Sequence, residues 1–236
     1  MEEAVLRQLC WLKVYAIAST LVGGALLALL FYRTATPRRV EELTVERLNV
    51  VEQNGTLRLV LSNQARQHPG IVEGKPLPAR PRGAGLLFFN TEGDECGGLL
   101  YDGDHRQASL SLSADQYHND QVMQLQYQEA PASGRRSYGL RLWDRPANFT
   151  LGELARRLDS LQRLHDTLRY LDGVASLQAR HLLGEERLFL GRNGQRETGL
   201  FIHDSLGRPR IQLYINAQGE PQLETISASG VRVRMR

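Results

Sequence analysis

The sequence predicts a mainly β protein: an N-terminal transmembrane helix, then an antiparallel β-meander domain, sandwich or barrel-like, with one inserted amphipathic helix. Three observations lead there. Residues 14–32, VYAIASTLVGGALLALLFY, carry no charge. Beyond residue 43 apolar and polar residues alternate in one short segment after another, the period of a half-buried strand. Turn signals separate those segments, among them Asn54-Gly55, Asn193-Gly194 and Gln218-Gly219. The division that follows is a tail and anchor over 1–32, a linker over 33–42, and a β-rich domain over 43–236.

Residues 14–32 suit a bilayer. At ~1.5 Å per residue their helix is ~28 Å long, close to the ~30 Å hydrocarbon thickness. Trp11 and Tyr32 bracket the run as interfacial aromatics, and Lys13 reaches outward from it. Cleavage is disfavoured, because the run exceeds a signal-peptide core and Thr34-Ala35-Thr36 is followed by Pro37. The expectation is a single-pass protein held by the lipid bilayer of a bacterial inner membrane. Charge nearly ties on orientation: Arg7 and Lys13 precede the run, while Arg33, Arg38, Arg39 and Arg47 follow it. A large β domain behind an N-terminal anchor leans extracytoplasmic. Thr20, Gly24 and Ala28 form a small-residue stripe that offers a homodimer contact between anchors.

Composition narrows the class. Hydrophobic residues make up 42% of the 236 and charged residues 23%, an ordinary globular balance. Of the 29 basic residues only Lys13 and Lys75 are lysines, the skew of a GC-rich, bacterial genome. The arginines are scattered rather than gathered in a stripe, which excludes nucleic acid as a partner. Cys10 and Cys96 form neither a CxxC pair nor a disulfide framework, so no metal or cofactor is expected from them.

Within the domain, Leu57, Leu59 and Leu61 share one strand face, as do Met123, Leu125 and Tyr127, and Ile211, Leu213 and Ile215. Glutamines occupy the face opposite Met123 and Leu125. GLLYDG (98–103), GLRLWD (139–144) and GLFIHDS (199–205) repeat one shape, and EGDECGGLLY aligns with NGQRETGLFI. This predicts a reused turn-strand unit whose glycine allows close backbone approach and whose leucine enters the core. His203 then takes the outward place of Asp102, a scaffold position. One helix is predicted over about 151–172. Thr150 and Glu153 have capping-box spacing, Leu154, Leu158, Leu161, Leu164, Leu168 and Leu171 make an apolar stripe, and Gly173 and Gly184 offer stops.

TVERLNVVEQNGTLRLVLSN behind an anchor, with the later GLRLWDRP and GRPRIQL, resembles a class of bacterial single-pass membrane proteins with a β-meander domain. The resemblance covers most of the chain after Leu43. It implies architecture only, since no activity is attached to that class.

Motifs for catalysis are missing: there is no Walker loop, GxGxxG, HExxH, GxSxG or SxxK. Three stretches remain. Residues 63–83 form a long irregular, extended segment that could dock on a protein partner or fold across the sheet; His68, Pro76 and Pro78 suit recognition, and the loop is expected to be dispensable for folding. In DQYHNDQ (115–121), Asp115, Tyr117, His118 and Asp120 could line a polar surface. DGDH (102–105) places Asp102 and His105 at metal-ligand spacing but lacks the calcium-loop pattern. The favoured function is non-catalytic binding or scaffolding at a membrane, through the Pro-rich loop and exposed sheet edges. The alternative is a membrane-anchored hydrolase or carbohydrate-binding enzyme with its site in the 102–121 loops, which requires those residues to converge.

Overall fold

The computed structural model describes residues 2–35 and 40–234, and the chain divides into Met1–Thr44 and Val45–Arg236. The first unit is helix α1 (Glu2–Ala35). Its stretch Val5–Tyr32 is long and apolar enough to cross a membrane. The hydroxyls inside it are satisfied locally: Ser19 Oγ donates to Tyr15 O and Thr20 Oγ1 to Ala16 O, as an apolar surround demands. Part of the expected 33–42 linker, residues 36–39, lies outside the described residues.

The second unit is a meander. Its strands are β1 (Arg47–Val51), β2 (Leu57–Ser62), β3 (Ile71–Val72), β4 (Lys75–Pro76), β5 (Ala84–Phe89), β6 (Glu95–Gly103), β7 (Ala108–Asp115), β8 (Gln121–Ala130) and β9 (Arg135–Asp144). After helices α2 (Leu151–Gln162) and α3 (Thr167–Ala179) come β10 (Glu185–Arg192), β11 (Thr198–His203), β12 (Pro209–Ile215), β13 (Pro221–Ile226) and β14 (Arg232–Arg234). All but β3 and β4 join one 12-stranded antiparallel sheet in chain order. The sheet is open, with β1 and β14 as edges, so the predicted meander is present but neither sandwich nor barrel closes it.

The register carries an unexpected regularity. Leu48, Leu61, Leu86, Leu99, Leu112, Leu125, Leu140, Leu190, Leu200, Leu213 and Leu223 stand opposite one another in succession from β1 to β13. This leucine ladder crosses eleven strands, with Met123, Leu142, Leu188, Ile202 and Ile211 paired in the row beside it. It lies on the face the alternation marks as apolar, yet that face is largely uncovered. Leu125, Leu190 and Leu213 are 49%, 50% and 51% exposed.

What is buried lies on the opposite face. Val60, Leu87 and Phe89 form a core against which Ile71 and Leu100 pack, and Phe189 and Phe201 stack 5.8 Å apart further along. The expectation that the leucine of each Gly-Leu unit enters the core is therefore corrected. In GLFIH the buried residue is Phe201, and Leu200 belongs to the ladder. His203 is half-buried with Nδ1 enclosed and unpartnered, so it is not the plain surface residue expected.

The predicted helix is two. Thr150 caps α2 by accepting from Glu153 N, but His165 adopts φ 50° and Asp166 caps a new helix by accepting from Leu168 N and Arg169 N. Gly173 does not stop α3. A Cβ there would lie 2.4 Å from Leu161 Cδ1, so the missing side chain lets the two helices touch. The chain turns instead at Gly184, φ 84°.

Gly199 tests the reused unit. A Cβ at this position would lie 2.0 Å from Leu213 O and 2.5 Å from Tyr214 Cα, which is strand backbone that cannot step aside. Gly199→Val is expected to destabilise the domain by about 1–3 kcal/mol through overpacking. Thermal or urea melting checks this; an unchanged midpoint would show that the strands separate freely here.

Candidate functional site

In an antiparallel meander alternate connections fall at opposite ends of the sheet. The turns at 90–94 and 116–120 and the helical connection between β9 and β10 share one end; the 63–83 segment and the 104–107 turn start from the other. Residues 63–83 do not project outward. Gln67 Nε2 donates to Gly83 O (3.1 Å) at one end of the sheet, and the segment then crosses the covered face to the other. There β3 and β4 pair around Glu73 (φ 53°) and Gly74 (φ 70°), a two-residue turn with both φ positive.

Asp94 holds that turn. Its carboxylate, 3% exposed, accepts Glu73 N at 3.0 Å and Gly74 N at 2.8 Å. His118 Nε2 lies 3.1 Å from Asp94 Oδ2. Thr150 Oγ1 bonds Glu73 Oε1, and Leu151 N donates to His118 O (2.9 Å), so the tip of the segment, the β7–β8 turn and the start of α2 meet at one place. Beneath them Arg82 bonds both oxygens of Glu95, at 2.8 and 2.6 Å.

The sequence candidates separate accordingly. His68 is an internal packing group: its ring meets Phe89 edge-on at 5.2 Å, its Nδ1 accepts from Gly70 N, and burial, then Arg47, lowers its pKa. Pro76 and Pro78 are exposed, one on the hairpin and the other on the irregular segment leaving it. Tyr117 stacks on His118 at 3.9 Å and donates to Glu92 Oε2 (2.8 Å). Asp120 pairs with Arg145 at 3.4 Å. Asp102 and His105 lie at the far end, where Asp104 Oδ1 accepts from Arg106 N and Gln107 N; DGDH is a turn. The convergence that the hydrolase alternative needs does not occur.

Glu92, Asp94 and His118 do approach within the 4.8 Å that a metal ion would require. Their donor atoms are already engaged, however: Asp94 by two backbone amides and Glu92 by a tyrosine. The arrangement is a latch holding the segment down. Chemically the distinctive group is Asp115, whose Oδ1 is buried without a partner. Burial, then Glu95 and Asp120, pushes its pKa up to about 7. Cys96 stands beside it on β6, and burial, then Asp115, pushes that thiol's pKa up; the cleft of about 550 Å³ between α2 and α3 is lined by other residues, including Arg156, Arg157, Leu161 and Arg180.

Compared with protein families, curated proteins and solved structures, the chain matches none. The leucine ladder is a further extended surface feature, and no motif announced it. A signal was present: LRLVL, GLLFF and RLFLG are apolar at consecutive positions, the pattern of strands covered on both faces.

Two expectations follow. Asp94→Ala strands two amides and frees the hairpin, so it should cost about 3 kcal/mol, and replacing residues 67–80 by a short Gly-Ser bridge should abolish cooperative melting. This replaces the idea of a loop dispensable for folding, and near-wild-type melting of both variants would restore it. Asp115 should give a pH dependence. A carboxyl ionising near ~4 in the unfolded chain but at about 7 when folded holds its proton more tightly in the folded state. Its stabilising contribution is complete below ~pH 4 and is lost as pH rises through ~7. Asp115→Asn stays neutral, so its melting temperature should gain on the wild type as pH rises from ~4 to ~7, as paired melts would show; parallel curves would place the carboxyl in water.

Proposed function

We propose that this protein is a non-catalytic binding protein tethered to a membrane by α1, and that its working surface is the leucine face of the sheet. The observation that carries the reading is the inverted pattern of the central strands. There Ser109, Ser111, Ser113, Gln124 and Gln126 occupy the face that holds the core elsewhere, while Leu110, Leu112, Met123 and Leu125 are exposed on the other. Strand alternation places apolar side chains toward a core. In β7 and β8 that core is not supplied by the described residues of this chain. Monomeric proteins rarely leave more than about 300–600 Å² of contiguous apolar surface uncovered, so the face fits a surface made to be occupied.

Binding energy, rather than bond-making chemistry, is what such a face provides. The anchor restricts where binding occurs, and the arginine-bearing turns keep the remaining surface hydrated. The Pro-rich segment acts indirectly, by covering the opposite face and keeping the sheet rigid.

The test is site-specific photocrosslinking of the full chain in native membranes. A photoreactive residue replacing Leu125 should form adducts, while one replacing Gln126, its neighbour on the other face, should form few. Carbonate washing should leave the chain in the membrane pellet. Absence of adducts from position 125 would overturn the reading.

A further inference from the structure

We infer that the leucine face is closed by a second copy of this chain, ladder against ladder. The inference rests on the reading above and names the occupant. Area comes first. Eleven strands at ~4.8 Å spacing make the ladder ~48 Å long, and with its flanking rows the face is ~20 Å wide. Each copy would therefore bury ~1,000 Å², and the pair ~2,000 Å², the size at which obligate homodimers begin.

The shape of the face selects a sheet as its complement. Leucines in mid-sheet are half exposed, so the ladder is an open plane and not a walled groove of the kind that encloses an acyl chain. Planes of this kind pack on another sheet at ~10 Å, with side chains interdigitating at the strand repeat. A second copy has a ladder of the same length and pitch. A twofold axis then sets one patch against itself, as isologous dimers require.

Charge lies where a rim is needed. Along the face, the Glu129–Arg136 pair and Arg192 stand at the end of β8–β10, beyond Tyr127 and Tyr138, while the ladder itself is uncharged. An apolar centre with a polar border is the usual anatomy of a protein interface. Tethering in one bilayer raises the effective concentration of copies for each other. This contact is distinct from the anchor stripe at Thr20, Gly24 and Ala28.

The adduct formed from position 125 in native membranes decides the question. Its expected mass is twice the 26.6 kDa chain. Leu125→Asp combined with Leu213→Asp should abolish chemical crosslinking between copies while strand content by circular dichroism is kept, and Gly24→Leu should leave crosslinking intact. An adduct carrying a lipid or another protein would overturn the inference and leave the binding role standing. No adduct would remove both. Dimers that survive the two aspartates but vanish with Gly24→Leu would place association in the anchor and overturn the inference. If the double variant loses its strand signal, the photoadduct mass still decides.

Discussion

A single buried carboxylate holds the covered side of this domain together. Asp94 accepts the amides of Glu73 and Gly74, and His118 bears on the same group. A carboxylate so enclosed is tolerable only when its oxygens are bonded, and bonds from backbone amides to an ionised acceptor are among the stronger ones available. Through those two amides the 63–83 segment is drawn across the sheet, Ile71 reaches Val60, Leu87 and Phe89, and Glu73 is presented to Thr150 at the start of α2. Remove the carboxylate and the core, the turn and the helical hairpin lose their common point.

The two faces of the sheet thus meet water differently. One is covered locally, by the segment over β2 and β5 and by aromatic side chains over β9–β12, where Phe201 stacks against Phe189 and Tyr214. Glycines at 139, 191 and 199 stand in one row; a Cβ at 139 would lie 2.8 Å from Phe189 Cε2, and at 191 and 199 it would meet the backbone of the neighbouring strand. The other face has leucine at nearly every strand and no cover among the described residues. A twelve-stranded sheet with a single layer of its own has too little interior to bury both faces. The described residues cover one side locally and leave the other open.

Much of this was legible in the sequence. Period-two alternation and turn dipeptides located the strands, and the Gly-Leu repeats gave the meander, because both depend on near neighbours in the chain. Covering was not legible. Alternation says that Leu125 and Gln126 point to opposite sides, but which side is enclosed depends on where 63–83 and the helices settle. Prolines at 76 and 78 left docking on a partner and folding across the sheet both open; the turn at Glu73-Gly74, with Asp94 as its distant acceptor, decided for the second. The break between α2 and α3 was hidden for a related reason. The leucine stripe runs straight through it, and only the capping preference of Asp166 marks the interruption. At the site, Tyr117 and His118 bear on Glu92 and Asp94 while Asp120 pairs with Arg145, and that latch depended on Asp94, which no motif singled out.

The edges of the sheet bear on how such a surface associates. An open sheet invites further strands at its ends, and proteins discourage this with short, charged edge strands. The β14 edge is of that kind: three residues, with Arg232 and Arg234 both bonded to Glu224, itself 0% exposed. Placing a carboxylate there and answering it with two arginines fixes the last strand and surrounds the edge with charge. Edge-on growth into a continuous sheet is thereby opposed at β14. The apolar face has no comparable protection over most of its length, since its charged residues stand at the strand ends, Glu129, Arg136 and Arg192 at one and Asp144 with Arg187 at the other. Face-to-face contact is the association this distribution permits, and it is a contact that ends at two layers.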